Sequence, residues 1–123
     1  MKPIFVLTEE AENLLKKARD TYGDKNQIIV SIEECNELSA ILAKFARYQD
    51  EDKAIAELRN NVLDEVADVT VVLEHVKAIF NITNNNVAHR VDQKLERLGR
   101  WLNTSDSMEQ TTIDREIHET KGR

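Results

Sequence analysis

The chain has 123 residues, 41% hydrophobic but only 5% aromatic, which limits it to one small domain with an aliphatic core. Its 17 Lys and Arg against 23 Asp and Glu leave a net charge of −6, which argues against a nucleic-acid-binding surface; any polyanionic substrate would need cations to offset repulsion. No run approaches the ~18 apolar residues of a membrane span, and Pro3-Ile4-Phe5-Val6-Leu7 is too short for a secretion signal, so the expectation is a cytoplasmic protein with no membrane partner.

One Pro, at position 3, and Gly at 23, 99 and 122 leave the interior nearly free of breakers, which predicts an all-α bundle of four helices. Thr8 is the expected N-cap of a first helix over Glu9 to Tyr22, with Ala11, Leu14, Leu15 and Ala18 as its stripe and Gly23 as its stop. Asp24 is placed to cap a second helix that runs to about Tyr48, with Cys35 as a small thiol buried in its apolar arc. The polar cluster Gln49-Asp50-Glu51-Asp52 then breaks the chain. A third helix is predicted from Asp52 to Phe80, with an irregularity at Asn60-Asn61, and a turn follows over 81–86 in which Asn85 or Asn86 caps the fourth. That fourth helix, through Leu102, has one packing stripe, Val87, Val91, Leu95, Leu98 and Leu102, beside a second made of Arg90, Lys94, Arg97 and Trp101. Residues 1–102 therefore read as the folded domain, and 103–123 as a polar, mobile tail with a short helix at 113–119.

Acids stand out against this pattern. Glu34 and Glu37 lie three residues apart in the second helix, and Glu65 and Asp68 repeat the spacing in the third. At ~100° per residue, Glu34 falls between Phe45 and Ile41 inside the apolar arc, and Glu65 falls between Val72 and Val76. Glu37 and Asp68 sit at the edges of the same arcs, whereas Glu33 points to the polar face. Carboxylates placed there must be offset by cations or take up protons, and a set of hard oxygen donors suits Mg²⁺, with Mn²⁺ as a substitute.

The run Glu33-Glu34-x-x-Glu37 followed by Glu65-x-x-Asp68 resembles the EExxE…ExxD signature of the MazG-like, all-α nucleoside triphosphate pyrophosphohydrolases. The resemblance spans residues 25 to 100. It implies a four-helix MazG-like bundle that hydrolyses an NTP or dNTP to the monophosphate and pyrophosphate. By the same resemblance Glu34, Glu37, Glu65 and Asp68 are the metal ligands and catalytic acids, with one of them as base for the attacking water. Glu33 either supports those ligands through hydrogen bonds or is a surface acid.

Arg90, Lys94 and Arg97 can meet the β- and γ-phosphates, since guanidinium and ammonium groups bind phosphate oxygens directly. The competing reading is a solvated face paired with Asp92 and Glu96; the resemblance favours Lys94 and Arg97 over Arg90. His75 is expected at a surface or an interface rather than in the acid cleft, and Trp101 at a subunit boundary rather than stacked on a nucleobase; Gln27 is within reach of a base or ribose but is assigned no role. Two further readings stay open: a noncatalytic helical interaction module, and a carboxylate-bridged di-metal bundle. The second expects Glu-x-x-His motifs, and His stands three residues after neither Glu34 nor Glu65. Because both central helices are apolar over more than half their circumference, a homodimer or dimer of dimers is expected.

Overall fold

Thr8 opens the first helix as the sequence predicts: its Oγ1 accepts from the Ala11 amide at 3.1 Å and so satisfies one of the unpaired N–H groups of the first turn. The computed structural model describes residues 7–47 and 52–105, and these form four helices and no strand: α1 (Glu9–Tyr22), α2 (Asp24–Arg47), α3 (Asp52–Ile79) and α4 (Asn84–Ser105). No helix among them is long and apolar enough to cross a membrane. The short helix expected at 113–119 lies outside the described residues.

Gly23 joins α1 to α2 with φ 88° and ψ 152°, a conformation that only glycine adopts readily. Its amide donates to the Arg19 carbonyl at 2.8 Å, and its own carbonyl accepts from Gln27 at 3.2 Å. Gly23 therefore ends one helix and begins the next. Asp24, expected as the cap, is already helical and contributes instead as an acid in the first turn, where the helix dipole favours it.

α3 runs unbroken through Asn60 and Asn61, contrary to the expected irregularity; both amides are exposed and can be solvated without disturbing the helix. It closes in a Schellman motif. Asn81 takes the left-handed conformation at φ 54°, its amide donates to the Ala78 carbonyl, and Ile82 donates back to Lys77. α4 then starts earlier than predicted. Thr83 is the cap, with its Oγ1 accepting from the Asn86 amide at 3.0 Å and its own amide donating to Asn86 Oδ1 at 2.9 Å. This is a capping box with Asn in the place usual for Glu or Gln.

Two units make up the chain: Met1–Ile82, which holds α1, α2 and α3, and Thr83–Arg123, which holds α4. In the first unit α2 packs along α3, and α1 touches both. The four residues between α2 and α3 are too few for a parallel return, so the pair is antiparallel. That topology brings the middle of α2 opposite the middle of α3.

Among the described residues the buried apolar side chains are Leu58 and Val72, and they are joined by buried Gln27, Ser31 and His75. Ser31 Oγ donates to the Gln27 carbonyl at 2.7 Å, which satisfies its hydroxyl within α2. Several expectations are corrected here. Leu14 is exposed while Leu15 is half-buried, so α1 turns the other side of its stripe inward. Ile32, Leu42 and Phe45 of the α2 arc are exposed, and so is the Cys35 thiol. A helical wheel marks which residues share a face but not how much of that face one partner helix can cover.

Candidate metal centre

Glu34 and Glu37 project from α2, and Glu65 and Asp68 from α3, because residues three apart on a helix lie one above the other on the same side. Antiparallel packing sets the two pairs face to face. One carboxylate oxygen from each of the four lies within 4.8 Å of the other three. Glu34 and Glu65 are half-buried and form the floor; Glu37 and Asp68 are exposed and form the mouth.

The floor contains an unmet demand. Oε2 of Glu34 and Oε2 of Glu65 are both shut off from water, and neither has a hydrogen-bond partner. Buried oxygens of this kind are costly unless a donor or a cation satisfies them. The ion pairs found among the described residues are Lys16–Asp20 and Lys77–Glu74, and neither involves a cluster acid.

The electrostatics agree with the geometry. Desolvation raises the pKa of Glu34, and the charges of Glu37 and Asp68, the acceptor that Glu37 offers to the protonated acid, and the charge of Glu65 push it the same way. Glu65 is raised in the same order by desolvation, by the charges of Glu37 and Asp68, by the acceptor that Glu37 offers to its protonated form, and by Asp64. Every cause favours the protonated acid at Glu34 and at Glu65, so the folded chain resists ionising these two. A divalent cation among these oxygens would reverse the balance. The donor set, four carboxylates with no nitrogen or sulfur, is that of a hard cation. The residues therefore fit a metal ion.

Glu33 is exposed, as its position on the wheel indicates. Arg90, Lys94 and Arg97 are all exposed on α4, in the other unit. Lys94 and Arg97 line a groove on that helix together with Leu98 and Trp101, and the Arg97 guanidinium lies 5.4 Å from the centre of the Trp101 ring. This cation–π contact fixes a long, otherwise mobile side chain on the helix surface.

His75 is not at a surface. It is 4% exposed, and its Nδ1 lies 3.0 Å from Nη1 of Arg19 on α1. Gln27, to which the sequence assigns no role, is buried. The importance of Arg19 escaped the sequence reading, although its place one residue after Ala18 put it beside the α1 stripe. The chain matches no protein-family model, no characterised protein and no solved structure.

Proposed function

We propose that the chain is a Mg²⁺-dependent nucleoside triphosphate pyrophosphohydrolase of the MazG-like all-α type, working as a homo-oligomer in the cytoplasm. The observation that carries this reading is the pair of buried, unpartnered oxygens of Glu34 and Glu65 at the floor of a four-carboxylate cluster. Such a floor favours a cation, and the cation in turn lets an acidic protein accept a polyphosphate. Mg²⁺, when bound, neutralises phosphate oxygens and lowers the pKa of water.

The remaining tasks fall to side chains. Glu34 and Glu65 would hold the cation, and Glu37 and Asp68, which are reachable from solvent, would complete its ligands. One of the two exposed acids accepts the proton of the attacking water as the bond between the α- and β-phosphate groups breaks. Lys94 and Arg97 hold the leaving pyrophosphate, with Arg90 in a lesser part. Mn²⁺ would substitute, because it takes the same oxygen donors.

A panel of common NTPs and dNTPs, incubated with Mg²⁺ or Mn²⁺ and analysed for monophosphate and pyrophosphate, tests the proposal. Release of both products from at least one of them, abolished by Glu37→Gln or Asp68→Asn, is the expected result. Binding of Mg²⁺ with no turnover of any nucleotide would favour the noncatalytic module instead.

A further inference from the structure

His75 is a buried titratable group that the proposed chemistry does not use. It sits on α3, well beyond Asp68, and takes its polar partner from α1. The contact has only one chemically allowed form. Arginine carries donors and no acceptor, so Nη1 of Arg19 donates and Nδ1 of His75 must accept. The ring is therefore neutral, with its proton on Nε2.

α1 has little else to hold it against its neighbours. No residue of α1 is fully buried; Ala11, Leu15, Ala18 and Arg19 are half-buried and make up its inward side. Part-covered small and aliphatic groups hold a helix only weakly.

We propose that His75 is a proton-operated latch for α1: neutral, it accepts from Arg19 and keeps α1 docked on α3; protonated, it turns Arg19 away and lets α1 open. A proton from solvent on Nδ1 converts the acceptor into a donor facing another donor. It also sets two positive charges side by side in a part-buried place. A guanidinium has donors and no acceptor, so the hydrogen bond breaks.

Surrounding charges do not cancel the effect. From α1, Lys16 and Asp20 pair with each other at the exposed surface. On α3 itself, Glu74 is paired with Lys77. From α2, the buried polar groups Gln27 and Ser31 carry no charge, and Glu34 and Glu37 belong to the carboxylate cluster. The charge that acts on His75 is that of Arg19, and together with the larger effect of desolvation it lowers the histidine pKa. The sign follows: docking of α1 is fully supported above the free-imidazole value of ~6.5 and is lost as the pH falls towards the lowered one.

Hydrogen exchange of the full chain, as protection factors that correct for intrinsic exchange rates, tests the latch. Between those two pKa values α1 should lose protection by up to about tenfold per pH unit relative to the centre of α3. His75→Gln, whose side-chain oxygen still accepts from Arg19 but cannot titrate, should keep α1 protected across the same range. Arg19→Met should leave α1 poorly protected at every pH. Should His75→Gln fail to fold, ¹⁵N spectra of the wild-type imidazole decide the matter: an unprotonated Nδ1 at neutral pH and titration below the free-imidazole value are expected. Protection of α1 that ignores pH, a His75→Gln profile matching wild type, or a proton on Nδ1 at neutral pH would each overturn the proposal.

Discussion

Glu34 and Glu65 hold their protons more tightly in the folded chain than in the unfolded one, so they work against the fold whenever they are ionised without a cation. A raised carboxylate pKa contributes stability that is fully present below the ordinary value of 4.5 and is lost as the pH rises through the folded value. Thermal melts from about pH 4 to pH 8 in a chelator should therefore show a decline that the double variant Glu34→Gln, Glu65→Gln lacks. Mg²⁺ should restore the wild type at the upper end and leave the double variant unchanged, with metal affinity reduced by more than ~10-fold in calorimetry. Superimposable metal-free profiles would show that the two acids are not the source of strain. On α4, Lys94→Ala and Arg97→Ala should each lower kcat/KM for a triphosphate by roughly 10- to 100-fold, the worth of a lost charge-assisted hydrogen bond. Arg90→Ala should have a smaller effect, and helicity by circular dichroism should hold in all three.

Between elements, the two joints among the described residues, at Gly23 and at Asn81, are set by backbone geometry rather than by side-chain packing. Gly23 is the clearest instance: a Cβ built there meets no atom within 4 Å, so space is not what demands glycine. Its φ of 88° with ψ of 152° does. Gly23→Ala should cost about 1–3 kcal/mol, because an L-residue must leave that region and so disturb both helices that share the joint. Urea denaturation would measure it, and a midpoint equal to wild type would mean that the joint relaxes freely. Asn81, with its φ of 54°, tolerates the left-handed region through its short polar side chain, so Asn81→Gly should be neutral or slightly stabilising in the same assay.

At the scale of the whole molecule, the described residues of the unit holding α1, α2 and α3 leave Ile29, Ile32, Leu42, Leu63, Val71 and Leu73 exposed, while Leu58 and Val72, each 5% exposed, are the apolar side chains they bury. All of the exposed six lie on α2 and α3, the helices that carry the acids, so a surface that stayed bare would be an aggregation hazard beside the carboxylate cluster. A second copy of the chain is the economical cover, because symmetric pairing hides the same patch twice. Sedimentation should show a homodimer or a dimer of dimers, with a melting temperature that rises with protein concentration. A 14.2 kDa monomer at all concentrations, with full activity, would rule out the assembly.

Local rules made much of this protein legible from residues alone. Scarcity of Pro and Gly set the helical class, Thr8 and Gly23 marked both ends of α1, and a repeated three-residue spacing put each pair of acids on one side of its helix. These features depend on neighbours within a turn, and sequence order fixes those distances. Other features depend on partners far along the chain. Arg19 and His75, 56 positions apart, meet only because α1 packs against α3. The orphaned oxygens of Glu34 and Glu65 likewise exist only once α2 and α3 have packed, since burial and lost hydration belong to the pair of helices and to neither one alone. Sequence by itself determined which acids share a side, and tertiary packing alone decided which of their oxygens would be sealed from water and left wanting a cation.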